Sequence, residues 1–101
     1  MANFVKVASV GELQPGQCKT VVAGDRELAL CNCDGKFYAI DNVCPHQGGP
    51  LGEGELDGTV VTCPWHGWRF DVSTGTSPII PSVKLTQYEI KVEGNDVFVG
   101  V

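Results

Sequence analysis

Apolar and polar side chains alternate along most of this chain, and the alternation is interrupted at short intervals by turn residues. A two-residue period runs through Phe4–Ala8 (FVKVA), Lys19–Ala23 (KTVVA), Glu27–Cys33 (ELALCNC), Lys36–Asp41 (KFYAID) and Leu85–Val92 (LTQYEIKV). It marks half-buried strands, because successive side chains of a strand point to opposite faces. Tyr88, Ile90 and Val92 are expected on one face of the last of these. Asp34-Gly35 separates two such runs and predicts a tight hairpin, since that turn needs positive φ. Glu55–Asp57 and Thr59–Thr62 flank Gly58 in the same manner. Arg69–Val72 predicts a further short strand, Ser73–Ser77 a turn, and Val97–Val101 a closing strand. Val10–Leu13 fits one helical turn ahead of Pro15-Gly16. No segment sustains a period of 3.6. The pattern predicts an all-β fold, an antiparallel β-sandwich of short strands or a partly open barrel.

Two segments break this rhythm, Val43–Gly54 and Pro64–Gly67 with the cysteine that precedes it. They read CPHQGGPLGEG from Cys44 and CPWHGWRF from Cys63. The protein has only two histidines, His46 and His66, and each lies within three residues of a cysteine that is followed by proline. At 101 residues the chain has the length of one domain, 1–101, with no linker or repeat. Loops carried on a rigid β scaffold are where sites tend to be built.

Charge and cysteine usage narrow the function classes. The net charge of −5 makes a nucleic-acid partner unfavourable and suits a partner with a basic docking face. No apolar run approaches the roughly 20 residues of a membrane helix, and the start MANFVKVASV lacks a secretory pattern. A soluble, cytoplasmic protein is expected. Five cysteines, an odd number, argue against a framework built purely of disulfides. Cys31 and Cys33 share a strand face with poor geometry for a mutual bridge. Cys18, Cys31 and Cys33 are therefore expected as reduced, packed thiols.

Cys44-x-His46 and Cys63-x-x-His66 supply two thiolates and two imidazoles, enough for a four-ligand metal site. A structural zinc finger groups cysteine with cysteine and histidine with histidine. Mixed loops suit two irons, one held by two thiolates and the other by two imidazoles. Gly48, Gly49, Gly52, Gly54 and Gly67 allow tight turns and close backbone approach to inorganic sulfide.

CPH followed by CPWHGWRFD resembles the Rieske iron–sulfur signature, C-x-H then C-x-x-H-G, and the resemblance extends over the whole chain. It implies a Rieske fold in which two loops form a cluster-binding subdomain, at about 42–54 and 62–72. It implies one 2Fe-2S cluster, with Cys44 and Cys63 on the inner iron and His46 and His66 on the outer. Pro78–Pro81 (PIIP) resembles the family's covering loop, about 77–82. High-potential members carry a further cysteine in each loop, and these pair as a disulfide. The matching positions here are Gly49 and Trp65, so that bridge cannot form. Those members also carry a Ser and a Tyr whose hydroxyls bond cluster and cysteine sulfur, where this chain has Trp68 and Phe70. Fewer donors stabilise the reduced cluster less, and a potential of roughly −150 to 0 mV is expected.

Trp65 and Trp68 read first as apolar packing that steadies the loops and second as part of a docking face. Glu53, Glu55 and Asp57 alternate beside the first loop and, with Asp41 and Asp71, outnumber the single base Arg69. They form either an acidic docking collar or a solvated edge strand. Both histidines are committed to the cluster, so a mononuclear iron of the two-histidine, one-carboxylate kind has no ligands. No dinucleotide fingerprint is present. The reading is an electron carrier and not an enzyme: a monomeric Rieske-type ferredoxin between a flavoprotein reductase and a terminal oxygenase, most familiarly one that hydroxylates aromatic rings. The alternatives are the small subunit of an assimilatory nitrite reductase, which the CPHQGGPL loop also resembles, and a structural zinc module.

Overall fold

The structure is a computed structural model, and it describes residues 3–44, 48–65, 67–78 and 82–100. Among these, nine strands and two single turns of 3₁₀ helix account for the regular elements, with no α-helix. The strands are β1 (Phe4–Ser9), β2 (Cys18–Ala23), β3 (Arg26–Cys33), β4 (Lys36–Asp41), β5 (Glu55–Asp57), β6 (Val60–Thr62), β7 (Arg69–Asp71), β8 (Gln87–Glu93) and β9 (Asp96–Gly100). The 3₁₀ turns are Val10–Glu12 and Leu51–Glu53. Among the described residues no helix is long and apolar enough to cross a membrane.

All named pairings are antiparallel. Six strands form one sheet in the order β1-β9-β8-β4-β3-β2, and β5-β6-β7 form a second, smaller one. The hairpin expected at Asp34-Gly35 joins β3 to β4, with both turn residues at positive φ (55° and 95°). The expected all-β fold is present, and the strand boundaries agree with expectation to within two residues. The largest difference is at β8, which begins at Gln87 and not at Leu85. There the Leu85 N–H is drawn to the Gly75 carbonyl, and the Thr86 N–H to the Asp41 carboxylate. Val92 stays largely exposed, while Tyr88 and Ile90 on the same face are partly covered.

β3 explains how one short chain builds two cores. Its run Leu28-Ala29-Leu30-Cys31 is buried on both faces. Leu28 and Leu30 face a core completed by Val21, Phe37, Val97 and Val99. Ala29 and Cys31 face a second core with Ile40, Leu51, Val61, Phe70, Val72, Leu85 and the two loop cysteines, Cys44 and Cys63. The small sheet thus covers the back of the large one, and both loop cysteines are anchored in the layer between them.

One expectation is overturned. Cys18 and Cys31 are joined in a disulfide, and only Cys33 of the three remains a thiol. The cause is register. β2 starts at Cys18, one residue earlier than its hydrophobic pattern indicates, and the β2–β3 ladder sets Cys18 directly opposite Cys31. Their Cα atoms are 4.2 Å apart, as in the narrow, non-hydrogen-bonded pairs of an antiparallel ladder. Spacing along the chain shows Cys31 beside Cys33 and says nothing of the partner strand.

Candidate metal centre

Cys44 and Cys63 sit in two turns of the same design. In the first, the Gly48 N–H donates to the Cys44 carbonyl (2.7 Å), and the Cys44 N–H donates to the Gly49 carbonyl (3.0 Å). In the second, the Gly67 N–H donates to the Cys63 carbonyl (3.1 Å), and the Cys63 N–H donates to the Trp68 carbonyl (2.7 Å). The spacings, four and five residues, are identical. Gly48 and Gly67 hold the turns at nearly equal φ of 76° and 75°, a region that an L side chain enters only with strain. The backbone groups of both cysteines are thereby satisfied locally, and both cysteine residues are buried.

The loops then close on each other through glycines. A Cβ on Gly49 would lie 2.7 Å from the Cys63 Sγ and 3.0 Å from the Trp65 ring. A Cβ on Gly54 would overlap the carbonyl oxygen of Thr62, the residue before Cys63. The Trp65 indole of the second loop lies against position 49 of the first.

The first loop is closed at its base by Asn42, which the motif does not include. This buried side chain accepts from the Gly52 N–H (2.7 Å) and the Thr20 hydroxyl (3.2 Å) through Oδ1, while its carbonyl accepts from the Leu51 N–H (2.8 Å). Its backbone N–H donates to the Glu27 carbonyl (3.3 Å). Gly52 in turn presses on β2, where an added Cβ would stand 2.5 Å from the Thr20 nitrogen. Sequence reasoning missed Asn42 and Thr20. The available signal was an asparagine between a strand and a cysteine loop, a residue type that bonds nearby backbone in turns.

His46 and His66 lie outside the described residues, as do Ile79–Pro81 of the expected covering loop. The stem of that loop is described: Ser77 is buried, its N–H donates to the Val83 carbonyl (3.3 Å), and Thr76 bridges both Asp71 and Lys84.

The two tryptophans separate by role. Trp68 is partly buried, 6.4 Å from the ring of fully buried Phe70, and serves packing. Trp65 is 56% exposed beside the loops. The acidic residues separate too. Glu53, Glu55 and Asp57 are exposed, although Glu53 belongs to a 3₁₀ turn and not to the strand that carries the other two. Glu53 and Glu55 line a groove with Cys63, Pro64 and Gly67. Asp41 and Asp71 are engaged elsewhere. Asp41 accepts from the Tyr88 hydroxyl (2.7 Å), and burial together with that bond pushes the Tyr88 phenol up. For Asp71, burial works to raise the carboxyl. Hydrogen bonds from the Ser73 hydroxyl and N–H and from the Thr59 hydroxyl outweigh it and hold Asp71 below the usual carboxylate range. Burial, with Asp71 nearby, raises the Cys33 thiol, which suits an inert packed cysteine.

Two buried thiols on matched turns, with a side-chain-free glycine against one sulfur, fit a sulfur-ligated inorganic cluster. Nothing bulkier than hydrogen fits at position 49 without displacing the Cys63 Sγ.

Comparison with known proteins agrees. The family model described as the Rieske [2Fe-2S] domain matches residues 3–89. The ferredoxin component of biphenyl 2,3-dioxygenase from Rhodococcus jostii (strain RHA1) is 37% identical over 97 residues, covering 95% of this chain and 91% of that protein. A chain in a solved complex of reduced oxygenase and oxidized ferredoxin in carbazole 1,9a-dioxygenase superposes with a TM-score of 0.86 at 36% identity, covering 96% of this chain and 92% of that one. A nitrite reductase NADPH small subunit superposes at 0.82 with 21% identity, covering 96% and 97%, and so shares the fold alone. The chain belongs to the Rieske [2Fe-2S] family, and it is an electron-transfer component of the ferredoxin kind, not a catalyst, with one Rieske-type 2Fe-2S cluster as its cofactor.

Proposed function

We propose that Cys44, His46, Cys63 and His66 hold the cluster, and that the whole chain, 1–101, is one Rieske domain carrying electrons from a flavoprotein reductase to a terminal oxygenase in the cytoplasm. The observation that supports this ligand set best is the matched pair of cysteine turns, which presents Cys44 and Cys63 at equivalent positions with Gly49 against the Cys63 sulfur. Each histidine follows its cysteine by two or three residues in sequence. The cluster supplies the ability to take up and release one electron. This chain's part is to bury the two thiols, satisfy the surrounding backbone and present a docking rim.

An oxygenase is the proposed acceptor because the biphenyl and carbazole relatives are named as parts of such systems. Trp65, with Glu53 and Glu55 beside Cys63, forms an apolar and acidic rim. Such a rim suits a partner that is basic around an apolar contact, where charge steers encounter and the aromatic residue anchors. The carrier works as a monomer in this reading, at a potential of roughly −150 to 0 mV, since Trp68 and Phe70 provide no hydroxyl to cluster sulfur.

Electron paramagnetic resonance of the dithionite-reduced protein, with redox titration, tests the ligand set. A rhombic signal of low average g is expected, and it should disappear in His46→Cys and His66→Cys. A signal typical of four thiolates in the native protein would overturn the assignment. For the partner, Glu53→Gln with Glu55→Gln should slow electron delivery to a ring-hydroxylating oxygenase at low salt and have little effect at high salt. An unchanged rate at low salt removes the acidic rim.

A further inference from the structure

Cys18 and Cys31 take no part in the proposed ligand set, yet their disulfide stands at the support of the first cluster loop. It ties β2, an edge strand of the large sheet, to the interior strand β3. β2 is also what the loop rests on. The Thr20 hydroxyl, two residues beyond Cys18, donates to Asn42, and Gly52 packs against the Thr20 backbone. The two half-cystines differ in access. Cys31 is fully buried in the core that holds Cys44 and Cys63. Cys18 is partly exposed and lines a groove of about 540 Å³ with Glu12, Gln17, Lys19 and Glu55. A second groove, walled by Thr20, Asn42 and Gly52, also reaches Cys18. The residue that a reagent meets from solvent is therefore the one that holds the loop-bearing strand in place.

We propose that Cys18–Cys31 is a thiol-exchange site for a dithiol reductant, small or protein-borne, and that its opening loosens the grip of the first loop on the cluster. A thiolate of the reductant attacks the Cys18 sulfur, and a mixed disulfide forms as the Cys18–Cys31 bond breaks. Cys31 departs as a thiolate and takes up a proton. The second thiol of the reductant, once deprotonated, displaces Cys18, which is protonated in turn. Two electrons pass to the cysteine pair, and the reductant leaves as its own disulfide. The β2–β3 backbone ladder remains, so the effect is a looser loop and not an unfolded domain. This inference rests on the reading of Cys44 as a ligand.

Differential alkylation of the holoprotein as isolated comes first. N-ethylmaleimide in denaturant, then dithiothreitol, then isotopically heavy N-ethylmaleimide, should place the heavy label on Cys18 and Cys31 and the light label on Cys33, Cys44 and Cys63. Light label on Cys18 would overturn the proposal. The native holoprotein is then incubated anaerobically in dithiothreitol buffers of increasing reducing power, and cluster loss to an iron chelator is followed by visible absorbance. Cluster loss should accelerate several-fold in step with the opening of Cys18–Cys31. In Cys18→Ser/Cys31→Ser it should be fast at every setting and independent of the buffer. Opening the disulfide with no change in chelation rate overturns the proposal in the native protein alone, whether or not that variant folds. A native protein without iron and labile sulfide would count against the cluster reading instead, whatever label Cys18 carries.

Discussion

Gly49 touches the sulfur of Cys63: a Cβ at position 49 would stand 2.7 Å from that Sγ, with the Trp65 ring 3.0 Å away on the same side. The two cysteine turns meet at this point, and the absence of a side chain lets them do so. Gly49→Ala should therefore lower iron and labile sulfide per chain and destabilise the fold by about 1–3 kcal/mol, the usual cost of overpacking a filled site. Metal analysis and a thermal melt check both. Full cluster content at an unchanged melting temperature would mean that the loops do not meet here.

Asn42 holds the base of the first loop with one oxygen shared between β2 and Gly52. Asn42→Ala leaves the Gly52 N–H buried without its acceptor, which costs about 1–3 kcal/mol. Urea denaturation should show that loss, accompanied by faster iron release. Native stability in the alanine variant would reduce Asn42 to a spacer.

Phe70 is fully buried in the core that contains both loop cysteines. Phe70→Tyr introduces a hydroxyl into that layer. Where it reaches cluster sulfur, the added donor stabilises the reduced state and should raise the potential by tens of millivolts. Redox titration decides. An unshifted potential with an intact cluster would remove Phe70 from the tuning argument.

Asp71 carries a linkage whose sign follows from its bonds. Its folded carboxyl lies below the usual range, because the Ser73 and Thr59 donors outweigh burial. The ionised form is favoured by folding, so its contribution is present above the unfolded carboxylate value of about 3.9 and is lost as pH falls through the lower folded value. Asp71→Asn should be less stable than native at neutral pH, and the gap should close in the acid range. A gap of constant size from neutral to acid pH would show that the carboxylate charge contributes nothing.

Much of this protein is legible one residue at a time. Alternation in ELALCNC and KFYAID, with Asp34-Gly35 between them, determined a hairpin, because a strand repeats every two residues and that turn needs positive φ. Cys44, His46, Cys63 and His66 stood out as the proposed ligand set by type and spacing, since two cysteine–histidine pairs rarely occur in such a pattern by chance. Gly48 and Gly67 were legible as turn residues for the same local reason.

What the tertiary structure decided is which residues meet across strands. Cys18 pairs with Cys31 because β2 begins one residue early and the ladder sets the two opposite each other. Asn42 reaches Thr20 from 22 positions away. Asp41 and Asp71, acidic like Glu53 and Glu55, are engaged by Tyr88 and Thr86 in one case and by Ser73 and Thr59 in the other. Trp65 is left exposed while Trp68 joins the core. Periodicity and spacing are local properties that the chain carries with it into any fold. Register and burial belong to pairs of distant segments, and they take a value only when the sheets close.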